Sequence, residues 1–579
     1  MGVSQSASGT DKVNAIINCH LLTGRIGKEG AGPFSITGQP NAMGGREVGG
    51  LATMLAAHMD FDNAEHRNAV QEHWQSPTIA PKPGLKAVDM FEAVGDGRIK
   101  ALWIISTNPA VSMPHSTAIA DALKACPFVV VSDITANTGT VAYADIFLPA
   151  AGWGEKDGTV TNSERRISRQ RAFLPKPGAA RADWQIICDV AIAMSFAGFD
   201  YTSPAEIFSE HVALTQKLNK GSRKLDLSAW QDRDYDALEP RQWGGARPFA
   251  DFRFQTPDGK ARFVATPFKS ASRQGLTLNT GRMRDQWHTM TRTGLVPRLF
   301  GHRAEPYVEI HPADAKRLAI APASLIEVSN EGGKSIARAL ISGAVKQGDI
   351  FQPMHWSGEF AKASLVNTCT PSSVDPISGQ PALKSASVGV APYAAAWHGF
   401  GVSQRNIQLD TDYCAKRPVA KGIAFECAGR ALPQDWGLML YDAIAGGGEI
   451  SSLQSDDAAS FRCVVLRDGK LVFAFFASRA SVEVSRAWLE SKLAMNANPL
   501  EVLAGRPHAE IKDQGPIICA CMNVGGGTIR AFIENAPAAS LDQVCAGTGA
   551  GMGCGSCRIE IRGLMALRTV LKVAPIMAV

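Results

Sequence analysis

Four cysteines near the C-terminus constrain the fold of this chain more than any other feature. They stand as Cys519-x-Cys521 and Cys554-x-x-Cys557. The second pair is rich in glycine, with residues Gly549, Gly551, Gly553 and Gly555. Two close cysteine pairs allow two short loops to supply four thiolates to one metal centre. The sequence therefore predicts one metal centre at these four cysteines.

Two kinds of metal centre fit four cysteines. A [2Fe-2S] cluster takes four thiolates, and glycines let the backbone fold around the sulfides and direct N–H groups at them. A structural zinc also takes four cysteines, usually from two CxxC-like pairs. The CxC first pair and the glycine-rich second loop favour iron and sulfur. Cys545 lies close by but fits neither pair, so we predict a structural role for it.

Composition narrows the class of protein. The chain has 579 residues, a length that favours about four domains. Of these residues 45% are apolar and 20% are charged, which favours a soluble globular protein. The net charge is only +5, which argues against nucleic-acid binding. No secretory signal and no apolar run of about 18 residues is present, so we expect a cytoplasmic location and no membrane contact. The remaining cysteines are predicted to be buried and reduced, namely Cys19, Cys126, Cys188, Cys369, Cys414, Cys427, Cys463 and Cys545.

The first 200 residues have the pattern of an α/β domain. ALWIIST (101–107), PFVVVSD (127–133) and ADIFLP (144–149) are apolar enough for buried strands, and STAIADALKAC (116–126) has helical periodicity between the first two. Strand, helix and strand with short links predict a parallel sheet with a right-handed crossover. Ligands of such sheets gather beyond the carboxyl ends of the strands, which here are followed by Asn108 or end at Ser132 and Asp133.

The rest of the chain divides into four further regions. Residues 201–270 are polar with little periodicity and are predicted to connect domains. Residues 271–398 have the short strands of a β-barrel, and residues 399–512 form a small α+β domain whose strands turn at Asp468-Gly469. Residues 513–579 form the cysteine domain, with helices predicted at 528–536 and 557–572. The chain is therefore predicted to be an α/β multidomain protein.

Three loop segments carry glycines, amides, hydroxyls and basic residues: 24–52, 145–184 and 278–294. Their chemistry suits a large polar cofactor with phosphates and guanine-like edges. Together these segments resemble the molybdopterin oxidoreductases that bind two molybdopterin guanine dinucleotides, in particular the bacterial assimilatory nitrate reductases. The run CACMNVGGGTI with GTGAGMGCGSC resembles the [2Fe-2S] domain of bacterioferritin-associated ferredoxin (BFD). The resemblance implies an incomplete parallel-sheet domain, a double-psi type barrel for the dinucleotide, a small α+β domain and a small helical [2Fe-2S] domain.

The resemblance also implies which residues bind the dinucleotide. They are Met1, Gln5, Asn108, Ser132, Asp133, Lys156 and Asp183, then Thr280, Gly281, Arg282, Trp287, His288 and Thr289 within the stretch 280–289, and Asn367 and Lys384. Lys156 and Arg282 have the charge to neutralise phosphates. Taken alone, Asn108 and Asp133 are also typical strand-terminating turn residues, and Lys156 is also typical of a solvated face.

In the resembled family the loop TGQPNAMGGRE lies over the molybdenum, which places Gln39, Met43 and Arg46 at the catalytic centre. A guanidinium there would attract and hold nitrate. The other interpretation of Arg46 is an ion pair with Glu47 or another acid. The short glycine runs lack the setting of a Rossmann motif, so NAD or flavin binding by this chain is weakly supported.

The resemblance implies molybdenum-dependent reduction of nitrate to nitrite, with electrons entering through Cys519, Cys521, Cys554 and Cys557. The donor would be a protein, either an NADH-linked flavoprotein, a ferredoxin or a flavodoxin. Two alternatives stay open: a non-catalytic iron-sulfur electron-transfer module, and another bis-molybdopterin enzyme such as a formate dehydrogenase.

The family carries an upstream [4Fe-4S] cysteine motif and, in this branch, a cysteine that ligates molybdenum, and neither precedes residue 519 here. We therefore expect the chain to be the C-terminal part of a longer enzyme, through a fragment, a split gene or a misassigned start. The [4Fe-4S] cluster is expected only in that missing region, and an incomplete first domain should leave apolar surface uncovered.

Overall fold

The structure is a computed structural model that describes residues 2–37, 39–218, 225–244, 247–268, 274–455, 460–507 and 514–571. The chain divides into two compact units. The first comprises Met1–Met113, Ala118–Ser272 and Ser372–Ala382, and the second comprises Pro114–Thr117, Arg273–Pro371 and Leu383–Val579. Among the described residues, no helix is both long and apolar enough to cross a bilayer.

The first unit contains eight helices and six strands within its described residues. The helices are α1 (Gly9–Leu22), α2 (Ala42–Glu47), α3 (Ala64–His73), α4 (Ala87–Gly95), α5 (Pro109–Ser112), α6 (Ser116–Ala125), α7 (Asp183–Ala193) and α8 (Pro204–Gln216). The strands are β1 (Ala101–Ile105), β2 (Phe128–Asp133), β3 (Ile146–Pro149), β4 (Gly158–Thr161), β5 (Arg166–Gln170) and β6 (Arg241–Gln242).

The predicted parallel sheet is present in the order β1-β2-β3. Ala101 is in register with Phe128, and Val130 with Ile146. The apolar runs bury Val129 and Val131 of β2 against α4 and α6, which forms the core of this layer. Strands β4, β5 and β6 form a separate antiparallel sheet. The βαβ unit thus brings the carboxyl ends of its strands to one edge, as the sequence predicts.

Two features of the first unit differ from the sequence-based expectations. Helix α8 lies in the region predicted to be a connection, and it buries Phe208, Val212 and Leu214. Its start carries a signature that was overlooked, an N-cap Ser203 followed by Pro204 in the first turn. The prediction that Cys19 is buried is wrong, because Cys19 is exposed on α1. Gly9 is the one fully buried residue of that helix, and its apolar residues Ile17 and Leu21 are half-buried.

The second unit contains fifteen strands and eight helices within its described residues. The strands are β7 (Leu276–Gly281), β8 (Tyr307–Ile310), β9 (Leu325–Asn330), β10 (Gly333–Ile341), β11 (Asp349–Pro353), β12 (Ala361–Lys362), β13 (Ala386–Pro392), β14 (Trp397–Ser403), β15 (Tyr413–Val419), β16 (Gly422–Gly429), β17 (Glu449–Gln454), β18 (Phe461–Arg467), β19 (Lys470–Ser478), β20 (Ile517–Cys519) and β21 (Val524–Gly525). The helices are α9 (Pro312–Arg317), α10 (Trp436–Met439), α11 (Tyr441–Ile444), α12 (Arg486–Lys492), α13 (Pro499–Ala504), α14 (Gly526–Asn535), α15 (Leu541–Thr548) and α16 (Arg558–Leu571).

Six strands close into a barrel in the order β10-β8-β11-β7-β13-β9. The barrel is filled by inward-facing aliphatic residues such as Leu278, Ile310 and Ile350. Strands β7 and β11 run parallel, with Gly281 paired to Pro353, so both strands end on the same side. The segments that follow them carry Arg282 and His355, and the barrel therefore holds these two segments next to each other.

Seven strands form a sheet in the order β12-β15-β16-β14-β19-β18-β17. The hairpin predicted at Asp468-Gly469 joins β18 to β19, and both turn residues have positive φ, 52° and 71°. Positive φ at both positions is what the tight type I′ turn requires. One face of the sheet packs on an aromatic cluster with Trp436, and the other packs with Trp488 of α12 and Val502 of α13.

The C-terminal segment forms a small domain of one two-stranded ladder and three helices. Strand β20 pairs with β21, and α14, α15 and α16 contact one another. Ile529, Val544 and Ile561 are buried, one from each helix. Cys519, Cys545 and Cys557 are buried in the same core, so the cysteine loops are anchored by apolar packing on their inner side.

Candidate functional site

The four cysteines of the quartet come together at one end of the small C-terminal domain. Cys519 ends β20, and Cys554 and Cys557 lie in the loop that leads into α16. The Sγ atom of Cys521 lies 3.6 Å from that of Cys519 and 3.8 Å from that of Cys554. Cys557 contacts Cys519 through their thiol groups. Thiolates that share one tetrahedral metal at about 2.3 Å lie about 4 Å apart, so the spacing suits metal coordination.

The backbone around the quartet favours thiolates at some positions. Burial opposes ionisation of Cys519, but N–H groups of Gly551 and Met522 outweigh it and lower the pKa of that thiol. The Ser556 side chain lowers the pKa of Cys554. Burial, with the Cys519 thiol next to it, raises the pKa of Cys557 to about 12. Metal binding would have to displace the proton from Cys557, whereas the N–H groups already support a negative charge at Cys519.

Glycines leave the room that the sulfurs occupy. A Cβ atom on Gly553 would lie 2.9 Å from the Sγ of Cys521, and one on Gly551 would lie 2.8 Å from the Sγ of Cys545. Gly551 also has a φ of 77°, a conformation that glycine adopts without strain. Cys545 is buried behind this loop, as its predicted structural role requires. Within the described residues, no group of three or more His, Cys, Asp or Glu side chains is arranged to hold a metal ion. The pairwise sulfur contacts therefore carry the geometric argument.

The barrel brings together four of the residues predicted to bind the dinucleotide. The Lys384 ammonium donates to the carbonyl of Thr280 and lies 3.3 Å from its hydroxyl. Arg282 stacks on Trp287, with the guanidinium carbon 4.7 Å from the ring centroid. The Nε atom of Arg282 is buried and has no hydrogen-bond partner among the described residues. Burial, reinforced by the Arg282 charge, lowers the pKa of Lys384 to about 8. Two cationic groups in one place, neither of them in an ion pair within the described part of the chain, fit a phosphate-bearing group.

The other predicted barrel residues support this arrangement from behind. Thr289 and Asn367 are buried, and Gly281 leaves room for Phe351, whose ring would lie 2.6 Å from a Cβ at that position. His288 has a φ of 35° and accepts a hydrogen bond at its carbonyl from His355. The sequence reasoning missed His355, which also accepts from the Met283 N–H at 2.9 Å. Its position just beyond β11, the parallel neighbour of β7, is the signal that would have found it.

In the first unit, the predicted dinucleotide residues at the strand ends already have local partners. Asn108 Oδ1 accepts from the Thr140 hydroxyl at 2.7 Å, and Ser132 accepts from the indole N–H of Trp103 at 2.9 Å. Asp133 Oδ1 accepts from the N–H of Ile134 at 2.7 Å. These contacts are those of strand-terminating turns, so they are compatible with the local interpretation of the residues as well as with ligand binding.

Lys156 and Asp183 form an ion pair with each other. Asp183 is the first residue of α7, and its second oxygen, Oδ1, is buried without a partner among the described residues. An unsatisfied buried acceptor next to a cation fits a ligand that supplies N–H donors, such as a guanine edge. Gln5 is half-buried before α1, and Met1 lies outside the described residues.

The three residues predicted at the catalytic centre share one segment but not one environment. Gln39 is exposed, whereas Met43 of α2 packs against the apolar cluster of α8 and Trp243. Arg46 is exposed, and within the described part of the chain it forms no ion pair with Glu47 or another acid. Glu47 instead accepts from the Thr161 hydroxyl at 2.8 Å and the Trp243 indole at 2.7 Å. The helix is thus anchored through Glu47 and presents Arg46 to solvent.

The fold and these sites define a multidomain protein that combines a dinucleotide-type barrel with a small iron-sulfur type domain. Three family models match the chain: molybdopterin oxidoreductase over residues 1–193, molydopterin dinucleotide binding domain over 276–387, and BFD-like [2Fe-2S] binding domain over 517–566. The chain belongs to the molybdopterin oxidoreductase family. The predicted fold class is confirmed, and the [2Fe-2S] alternative is favoured over zinc by the third match.

Known relatives refine this placement. A nitrate reductase of Klebsiella oxytoca is 41% identical over 98% of this chain. The assimilatory nitrate reductase catalytic subunit of Bacillus subtilis is 33% identical over 68% of the chain, and an F420-dependent formate dehydrogenase subunit alpha of Methanocaldococcus jannaschii is 32% identical over 67%. These alignments span 67%, 56% and 57% of the relatives' own lengths. The chain therefore corresponds to between about half and two thirds of the relatives that it matches.

Proposed function

We propose that this chain takes part in the molybdenum-dependent reduction of nitrate to nitrite for nitrogen assimilation, with electrons entering through the [2Fe-2S] domain. The observation that carries the proposal is the 41% identity to a nitrate reductase over 98% of the chain, which includes the cysteine domain. The formate dehydrogenase relative is a weaker match than this nitrate reductase, at 32% identity over 67% of the chain. Nitrate is therefore the substrate that we favour over formate.

The residues divide the work into cofactor binding and substrate attraction. Arg282 and Lys384 would hold phosphates of a molybdopterin guanine dinucleotide, and Asp183 would accept from its guanine edge. When bound, the molybdenum cofactor supplies the oxygen-atom transfer chemistry. Arg46 would attract nitrate and orient it, because a guanidinium presents a planar fork of donors to a small oxyanion. Cys519, Cys521, Cys554 and Cys557 would hold the [2Fe-2S] cluster that passes single electrons.

Several finer statements belong to the same proposal. The electron donor would be a reduced one-electron carrier, an NADH-linked flavoprotein, a ferredoxin or a flavodoxin, acting in the cytoplasm. The domain limits would be 1–200, 201–270, 271–398, 399–512 and 513–579. The three family-model ranges fall within the first, third and fifth of these limits, which supports them.

The purified full chain tests the proposal by its metal content and its substrate. We expect iron and inorganic sulfide in equal amounts, molybdenum with guanine dinucleotide, and oxidation of reduced methyl viologen on addition of nitrate. Turnover with formate and oxidised viologen, but not with nitrate, would favour the formate dehydrogenase alternative. A chain that binds the cluster but never molybdenum or the dinucleotide would support an electron-transfer module and would overturn the enzymatic proposal.

A further inference from the structure

The segment that follows β7 contacts the [2Fe-2S] domain as well as the predicted dinucleotide site. We name residues 282–303 the bridge segment. Its Arg282 stacks on Trp287 beside Lys384, as described above. The next basic residue along the segment, Arg284, contacts the cysteine domain instead. Its guanidinium donates to the Ile518 carbonyl at 2.9 Å and to the carboxylate of Glu560 on α16. Neighbouring residues of one segment therefore serve the two cofactor sites separately.

Two more contacts tie the bridge segment to the cysteine loops. Arg298 donates to the carbonyl of Cys521 at 3.1 Å. His302 lies between two carboxylates, with Nδ1 3.0 Å from Asp285 and Nε2 3.4 Å from Glu560. Asp285 in turn accepts from Arg284 at 2.9 Å. These hydrogen bonds and ion pairs connect the bridge segment to Ile518, which precedes the predicted ligand Cys519, and to Glu560 on α16.

The Arg284 guanidinium sits in a place where its charge acts on the cluster. Its side chain is 17% exposed, so solvent screens it less than a surface arginine. Its hydrogen bond to the Ile518 carbonyl places the charge one residue from Cys519. A positive charge this close to the cysteine loops favours the more negative, reduced state of a cluster held there. Arg284 therefore makes two contributions: it docks the domain, and it stabilises the reduced cluster.

We propose that Arg284 is the positioning residue that docks the [2Fe-2S] domain onto the barrel and raises the reduction potential of its cluster. The pair Arg284 and Glu560, supported by Asp285 and His302, would hold the cluster at a fixed place relative to the bridge segment. The proposal rests on the [2Fe-2S] assignment and does not depend on nitrate as the substrate. Loss of nitrate turnover alone would therefore not bear on it.

The test compares variants of the full chain by redox titration of the cluster, followed by electron paramagnetic resonance, and by limited proteolysis. Arg284→Gln should keep the cluster but disfavour its reduction about tenfold, which is about 59 mV more negative for a one-electron couple. The same variant should release the C-terminal domain to protease at least several-fold faster. Arg562→Gln is the matched control, because Arg562 is an exposed arginine on the same helix as Glu560. It should resemble the unmodified chain.

Two further variants separate charge from geometry. Arg284→Lys keeps the charge and should leave the potential close to its original value while proteolysis still accelerates, because an ammonium lacks the fork that reaches Ile518 and Glu560 together. Glu560→Gln removes a negative charge and should shift the potential in the positive direction. If Arg284→Gln does not retain the cluster, the reduction potentials and proteolysis rates of Arg284→Lys and Glu560→Gln test the proposal. Unchanged potentials and unchanged proteolysis across the set would overturn the proposal.

Discussion

The [2Fe-2S] domain and helix α2 differ in how much of a functional site the chain completes by itself. In the cysteine domain the predicted ligands contact one another, with Sγ atoms 3.6 and 3.8 Å apart, and glycines leave the space around them. On α2 the predicted catalytic residues are separated: Met43 packs into an apolar cluster while Arg46 projects into solvent. Local packing builds the site in the cysteine domain. On α2, the contacts of Glu47 only orient the helix that carries Arg46.

This contrast indicates which part of the chain encodes each part of the chemistry. A cluster site needs four identical ligands on two short loops, so a small domain suffices. A substrate site over a large cofactor needs groups whose aim is set by the cofactor and by other domains. Mutations should therefore act in an all-or-none way in the cysteine domain and in a graded way elsewhere.

The largest effect is expected at the cysteines. Cys554→Ala should abolish the visible absorption and the paramagnetic signal of the reduced cluster, because the cluster loses one of its four ligands and alanine supplies none. Cys545→Ala is the matched control, since this buried cysteine lies behind Gly551 and outside the quartet. It should keep the cluster. A cluster that survives in Cys554→Ala would show that the quartet is not the ligand set.

The next effect is expected at Arg46. Arg46→Gln should lower kcat/KM for nitrate about 100-fold, because it removes the guanidinium that would attract and hold the nitrate anion, and removal of one oxyanion-binding donor typically costs about this much. Cluster content should not change, because α2 and the cysteines belong to different units. Arg98→Gln, which breaks a surface ion pair with Asp96, should have no effect on turnover. Equal turnover of the two variants would indicate that Arg46 is a solvated surface residue with no part in nitrate binding.

The barrel site lies between these extremes and has a pH signature. Burial and Arg282 hold the pKa of Lys384 at about 8, so the ammonium loses its proton as the pH rises through this value. The affinity for a guanine dinucleotide should fall about tenfold from pH 7 to pH 9, measured by calorimetry. Lys384→Met should be weak at both pH values, whereas Lys346→Met, at a site with no such burial, should keep the pH dependence. An affinity independent of pH would contradict the assignment of Lys384.

Much of the fold follows from local sequence patterns. The strands at 101–105 and 128–133 were predictable because buried parallel strands are continuous apolar runs, and the hairpin because Asp468-Gly469 suits a turn with two positive φ values. The proximity of the four cysteines was predictable, because two close pairs with this spacing are typical of residues that share one metal centre. The burial of Cys19 was predicted wrongly, because an apolar helical pattern does not say whether another element covers it.

The contacts that link distant segments could not be predicted. Arg284 and Glu560 are separated by 276 positions, and nothing in either local sequence indicates the other. The same holds for Glu47, whose partner Trp243 lies 196 positions away. Arg46 and Glu47 are adjacent acid and base in the sequence, which suggested a pair. The helix instead turns Glu47 inward to the Trp243 indole and leaves Arg46 outside.

The smallest effect is expected at Glu47, and its sign depends on pH. Burial outweighs the hydrogen bonds from Thr161 and Trp243 and raises the pKa of Glu47 above 4.5. The stabilising contribution of this carboxyl is therefore complete below pH 4.5 and is lost as the pH rises through the folded-state pKa. Glu47→Gln, which cannot ionise, should gain stability relative to the unmodified chain between pH 4.5 and pH 7, as measured by urea-induced unfolding.

Two companion variants make this last test decisive. Glu47→Ala should cost about 1–3 kcal/mol at pH 5, because the Trp243 and Thr161 donors lose their acceptor in a buried place. Glu164→Gln is the control with the opposite sign, since the Arg166 guanidinium lowers the pKa of this exposed glutamate. If Glu47→Gln and the unmodified chain keep a constant difference in stability from pH 4.5 to pH 7, Glu47 is not a buried titrating anchor. Helix α2 would then present Arg46 by other contacts, such as the hydrogen bond from the Thr161 N–H to Asn41.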